Sequence, residues 1–139
     1  MPIQQSDVLY TAVATARNGR DGRVATDDGK LDVVVNPPKE MGGSGAGTNP
    51  EQLFAAGYSA CFQGALGVVA RQEGADLTGS TVTAKVGLGR NGEGFGIIVE
   101  ISADIPRVDR VTARSLIEKA HDVCPYSKAT RGNITVTLV

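Results

Sequence analysis

Asn49-Pro50-Glu51-Gln52-Leu53-Phe54-Ala55-Ala56-Gly57-Tyr58-Ser59-Ala60-Cys61-Phe62-Gln63-Gly64-Ala65-Leu66-Gly67-Val68-Val69-Ala70 is the longest passage of this chain that reads as one element. Asn49 suits a helix N-cap, Pro50 the first helical position, and Gln52 the place from which a capping-box side chain reaches back to the cap. From Leu53 onward the passage is apolar almost all the way round, which predicts a central, buried helix. Ala55, Ala56, Gly57, Ala60, Gly64, Ala65 and Gly67 are small residues that let neighbouring backbones approach closely.

Before this helix, Pro37-Pro38 and Gly42-Gly43-Ser44-Gly45-Ala46-Gly47 predict a loop, either mobile or shaped around a ligand. Further towards the N-terminus the chain alternates over residues 8–16, 24–26 and 31–35, with Asp28-Gly29 as a hairpin signal, which predicts a three-stranded meander. After the helix, residues 81–86 alternate, Asn91-Gly92 marks a turn, and a second strand runs over residues 97–105 until Pro106. A second helix is expected over residues 112–123, with Leu116, Ile117, Ala120 and Cys124 on one stripe, ended by Pro125. Residues 134–139 alternate again as a closing strand. The order is β-β-β-α-β-β-α-β without a regular βαβ repeat, so the class is α+β with antiparallel sheets about the central helix.

The chain has 139 residues, the size of one domain, so 1–139 is read as a single domain able to bury a core. A net charge of -1 with both signs interspersed offers no basic stripe for nucleic acid and no cationic tail for anionic lipid. The polar start lacks a signal-peptide pattern, and no apolar run reaches the roughly 18 residues of a membrane span, so a cytoplasmic protein is expected. Two cysteines in that compartment are better suited to a transient catalytic or sensing pair than to a permanent staple, if they meet.

Cys61 alone reads most readily as a small buried hydrophobe. Burial raises a thiol's pKa, so a nucleophilic role requires a fixed cation nearby. Gly19-Arg20-Asp21-Gly22-Arg23 offers two arginines on a tight turn, although a solvated surface turn explains them as well. Cys124 ends a helix, where the carbonyl end of the dipole disfavours a thiolate; it suits a resolving role, or simple packing on its stripe. Glu51 in a first helical turn is explained by the dipole alone.

Competing motifs are weaker. Cys124-Pro125-Tyr126-Ser127 echoes a glutaredoxin site without its second cysteine, and at the wrong end of a helix. The glycine loop lacks a nucleotide-binding ending. His121, the one histidine, leaves two cysteines short of a zinc set and reads as an ordinary helix-face residue, so no metal is expected.

Three runs then stand out in order: residues 19–23, residues 48–62 beginning Thr48-Asn49-Pro50, and Val123-Cys124-Pro125-Tyr126-Ser127-Lys128-Ala129-Thr130-Arg131-Gly132-Asn133. Together they resemble the organic hydroperoxide resistance proteins within the osmotically inducible protein C superfamily, over nearly the whole chain. The resemblance implies an intertwined homodimeric fold and a thiol peroxidase without metal or prosthetic group. It implies Cys61 as the peroxidatic cysteine, Cys124 as the resolving cysteine, Arg20 as the thiolate-stabilising arginine and Glu51 as its carboxylate partner. It further implies a preference for alkyl and lipid hydroperoxides and recycling by dihydrolipoyl groups on a lipoylated protein.

Glu51 and Cys61 are ten positions apart on the predicted helix, a separation of roughly 15 Å at the α-helical rise. If both serve one site, the helix bends sharply or a partner chain supplies Glu51; the small-residue face favours the second, a composite site in a homodimer. Phe54 and Phe62 are candidate walls for an alkyl tail. The rival readings are a superfamily member with another peroxide preference or reductant, and a non-catalytic binding or sensing protein whose cysteines merely pack or register oxidation.

Overall fold

The structure, a computed structural model, describes residues 2–139. It divides into two compact units, one ending at Pro50 and the other spanning Glu51–Val139.

The first unit is the expected meander. Strands β1 (Ala14–Arg17), β2 (Gly22–Thr26) and β3 (Asp32–Val35) form an antiparallel sheet in that order. The first strand is shorter than its alternation predicts. Pairing ends at Ala14 opposite Thr26, followed by one bond from the Asp27 amide to the Val13 carbonyl, because β2 turns away into the Asp28-Gly29 hairpin. Residues 8–13 extend beyond it, with Leu9 and Tyr10 100% and 80% exposed. The hairpin itself is as read: Gly29 has φ +72°, and Asp28 Oδ1 accepts from the Lys30 amide and the Thr26 hydroxyl.

The glycine passage is a loop, as read, and two of its glycines have a backbone reason. A Cβ on Gly43 would sit 2.1 Å from the Pro37 carbonyl oxygen, and one on Gly47 would sit 2.5 Å from that of Val34. Glycine is required there because the loop is folded tightly on its own backbone, with the Thr48 amide bonded to Val34 O and the Asn36 amide to Thr48 O.

The second unit is built on α1 (Pro50–Glu73), which starts where the sequence places it and runs unbroken for 24 residues. Strands β4 (Thr81–Arg90) and β5 (Phe95–Asp104) pair antiparallel along their whole length. Helix α2 (Arg110–Val123) begins two residues earlier than expected because Asp109 caps it, its side chain accepting from the Thr112 amide at 2.8 Å. A short helix α3 (Pro125–Thr130) follows at once. Pro125 both stops α2 and opens α3, since its fixed φ and missing N–H suit a first helical position.

The closing strand β6 (Val136–Leu138) pairs with β5, and this one pairing is parallel rather than antiparallel. The connection from β5 passes through two helices, long enough to return the chain in its starting direction. The core gathers Tyr58, Phe62, Leu66 and Val69 of α1 with Val99, Ile101 and Ile105 of the sheet and Leu116, Ile117 and Ala120 of α2.

Burial of α1 within the chain is one-sided. Tyr58, Phe62, Ala65, Leu66 and Val69 are buried, whereas Ala56, Ala60, Gly64 and Val68 are exposed. By length and composition α1 also qualifies as a membrane span. Counting unbroken apolar runs overlooks this, since Gln63 interrupts the passage.

Candidate active site

Cys61 lies in the middle of α1, on the boundary between its buried and exposed sides, and is half-buried; Cys124 is fully buried at the corner between α2 and α3. Both are free thiols, and their Sγ atoms are 3.7 Å apart. Sixty-three positions of sequence separate them, so this approach is a product of the tertiary fold. The α2 stripe carries Cys124 onto α1, because Leu116, Ile117 and Ala120 pack in the same core as Phe62 and Leu66.

Cys124 is at once the C-cap of α2 and the N-cap of α3. The dipole argument for its role is therefore incomplete: the carbonyl end of one helix and the amide end of another meet at the same residue.

Burial pushes the Cys61 thiol above its ordinary pKa. The Tyr126 backbone amide, donating to the sulfur, acts in the opposite direction, and the adjacent Cys124 sulfur adds to the increase. A thiol so placed requires further positive charge to ionise readily at neutral pH.

Gly57, one turn before Cys61, shows how Tyr126 reaches this position. A Cβ there would lie 2.7 Å from Tyr126 Oη, so only glycine leaves room for the ring to lie across α1. Phe54, Tyr58 and Tyr126 form an aromatic group with ring centroids 5.6 to 6.1 Å apart. Tyr126 is 39% exposed, and Phe54 is half-buried beside it. Phe62 is 0% exposed and belongs to the core, so it is no wall for an incoming ligand. Its helical position, four residues after Tyr58, directs it inward with the buried stripe.

Glu51 lies in the first turn of α1 and the helix is continuous to Cys61, which keeps the two roughly 15 Å apart along the axis. A single α1 does not bring them together. Arg20, in the first unit, is exposed in the turn between β1 and β2, where Asn18 and Gly19 both adopt positive φ. No group of three or more His, Cys, Asp or Glu side chains able to hold a metal occurs among the described residues.

Four residues around the corner carry more than the sequence suggested. Ser127 and Thr130 bond with Tyr58, and His121 bonds with Ser127, in a polar cluster beside Cys124, while Tyr126 supplies the amide at Cys61. One signal was available: a tyrosine on the buried stripe of a helix needs a partner for its hydroxyl.

The family model for OsmC-like proteins matches residues 42–139, which include both cysteines, α1 and the α2–α3 corner. The chain belongs to the OsmC-like family. Within that family its relatives include proteins named organic hydroperoxide resistance proteins. One, from Xanthomonas axonopodis pv. citri, is 53% identical over 133 residues, 94% of each chain. Among solved structures, the organic hydroperoxide resistance protein of Elizabethkingia anophelis aligns with TM-score 0.89 at 53% identity, over 95% of this chain and 96% of that one. OhrB of Bacillus subtilis aligns with TM-score 0.86 at 45% identity, over 94% and 98%. This OsmC-like chain thus shares its α+β architecture with organic hydroperoxide resistance proteins along nearly its full length.

Proposed function

We propose that this OsmC-like protein is a cysteine-based peroxidase that reduces organic hydroperoxides to alcohols and so protects the cell against organic peroxide stress. The observation that carries the reading is the 3.7 Å approach of two free thiols, one half-buried and one buried. The names of its relatives support the substrate class.

In the proposed cycle the Cys61 thiolate attacks the outer oxygen of ROOH, the O–O bond breaks, and RO⁻ takes a proton and leaves as ROH. Cys61 is left as a sulfenic acid. Cys124 displaces water from it, forming a Cys61–Cys124 disulfide before a second peroxide can carry the sulfur to an irreversible acid. A dithiol, assigned here to dihydrolipoyl groups on a lipoylated protein, returns both thiols and is itself oxidised. No metal or prosthetic group enters the cycle, and the compartment is the cytoplasm, where thiols are kept reduced.

The raised Cys61 pKa calls for a cation, and Arg20 is the residue assigned to it, with the partner's Glu51 as the carboxylate that holds the guanidinium. The length of α1 between Glu51 and Cys61 favours such a composite site in a homodimer. Phe54 and Tyr126, their ring centroids 6.1 Å apart, are the aromatic surfaces against which an alkyl tail would be buried.

The test is steady-state peroxide consumption with dihydrolipoamide as reductant. A bulky alkyl hydroperoxide is expected to be consumed with a much higher kcat/KM than hydrogen peroxide, and Cys61→Ser to abolish both. Unchanged consumption in Cys61→Ser would overturn the reading.

A further inference from the structure

The polar cluster beside Cys124 has a structure of its own. Tyr58 and Ser127 are 0% exposed and Thr130 6%. Tyr58 Oη lies 2.8 Å from Ser127 Oγ and 3.1 Å from Thr130 Oγ1. The Thr130 hydroxyl donates to the Ser127 carbonyl at 3.2 Å, and Ser127 Oγ lies 2.8 Å from His121 Nδ1. The Arg131 guanidinium donates to the His121 carbonyl, tying the end of α3 to the last turn of α2 a second time.

One assignment of protons satisfies all four contacts at once. There are four contacts and three hydroxyl protons. The Thr130 proton is on the Ser127 carbonyl, so the contact between Tyr58 and Thr130 uses the tyrosine proton. The contact between Tyr58 and Ser127 then uses the serine proton. Only an imidazole N–H is left for the fourth, so His121 donates from Nδ1. Burial, then the charge of Arg131, hold the His121 pKa below its ordinary value against a smaller opposing effect of Asp122. The ring is accordingly neutral at neutral pH, protonated on Nδ1 and bare on Nε2.

The chain of bonds runs His121 to Ser127 to Tyr58 to Thr130 and joins α2, α3 and α1 around one point. Cys124 lies three residues after His121 and three before Ser127; Cys61 lies three residues after Tyr58. We propose that the His121–Ser127–Tyr58–Thr130 chain is a positioning device that holds the α2–α3 corner against α1, so that Cys124 captures the oxidised Cys61 faster than a second hydroperoxide does. This rests on the peroxidase reading. Among the described residues no hydrogen bond joins the four to either sulfur; they act by where they keep Cys124. The sulfurs must close from 3.7 Å to about 2.05 Å to bond. A corner free to drift by a further ångström loses capture rate on the order of 10²-fold.

The test separates capture from the first oxidation. Wild type and Tyr58→Phe are oxidised with rising concentrations of one alkyl hydroperoxide, and mass spectrometry counts bridged against sulfinic and sulfonic Cys61. Tyr58→Phe is expected to show first oxidation within about twofold of wild type. The hydroperoxide concentration that over-oxidises half of Cys61 is expected to fall at least about tenfold, a conservative fraction of that loss. His121→Asn, which keeps a donor near the Nδ1 position, should restore most of the protection that His121→Phe loses.

Equal partition in a folded Tyr58→Phe overturns the positioning role alone. A wild type that forms no bridge overturns the peroxidase reading and this role with it. Should Tyr58→Phe fail to fold, Ser127→Ala gives the same comparison. The single histidine also permits a direct check in ¹⁵N-histidine-labelled protein. A protonated Nδ1 with a bare Nε2 is expected, and the opposite tautomer overturns the proton assignment.

Discussion

The two sides of α1 are both apolar and differ chiefly in volume. One side presents Tyr58, Phe62, Leu66 and Val69 to the β4–β5 sheet and α2; the other presents Ala56, Ala60 and Gly64 at four-residue spacing, ending in Val68, and is exposed in the single chain. Large side chains fill space and anchor a core, each contributing on the order of 2 kcal/mol. Small ones leave room for another backbone. A helix that is apolar all round is thus not necessarily buried by its own chain, and side-chain size distinguishes the side its own core fills from the side it leaves exposed. Cys61 sits where the two sides meet.

Truncation on the large side should have the greatest effect on stability. Leu66→Ala removes a side chain that is 0% exposed, and a loss of about 3 kcal/mol is expected from the transfer and cavity terms together. Urea unfolding measures it. A loss under about 1 kcal/mol would mean that this side is not the rigid core described here.

On the small side the expected effect is on association. A Cβ at Gly64 meets nothing within 4 Å in the single chain, so Gly64→Leu is tolerated by the protomer. In the proposed homodimer the added side chain prevents close helix approach, and light scattering should show a shift from dimer to monomer. A dimer that survives unchanged would place the association surface elsewhere.

The boundary between the sides should respond least. Gly57→Ala sets a helix-propensity gain of about 1 kcal/mol against displacement of the Tyr126 ring, whose Oη would lie 2.7 Å from the new Cβ. Overpacking of this kind costs roughly 1–3 kcal/mol, so a net loss near 1 kcal/mol is expected, together with a changed near-UV spectrum from the displaced tyrosine. A clear gain in stability would show that Tyr126 does not need the space.

Much of this architecture was legible because local signals and packing agree in it. Asn49, Pro50 and the apolar run located the start of α1, and Asp28-Gly29 and Asn91-Gly92 located both hairpins. What escaped depended on partners distant in sequence. Alternation over residues 8–13 does not make a strand where β2 turns away, and Pro125 reads as a stop unless the next helix is known. The pairing of β6 with β5 is parallel because of a two-helix crossover that a list of elements does not reveal. At the candidate site, Cys61 and Cys124 could be named from the sequence, but not their 3.7 Å approach. His121 looked like an ordinary helix-face residue until the fold placed its Nδ1 2.8 Å from Ser127 Oγ on the next helix.

The central claim is that Cys61 and Cys124 become one bond on oxidation. One equivalent of an alkyl hydroperoxide, followed by thiol counting and peptide mass mapping, tests it on wild type, Cys61→Ser and Cys124→Ser. The account predicts loss of both wild-type thiols as a single intramolecular Cys61–Cys124 disulfide, a Cys61 sulfenic or higher acid in Cys124→Ser, and an untouched Cys124 in Cys61→Ser. Two thiols still free in the wild type after the peroxide is consumed, or a disulfide only between subunits, would contradict it.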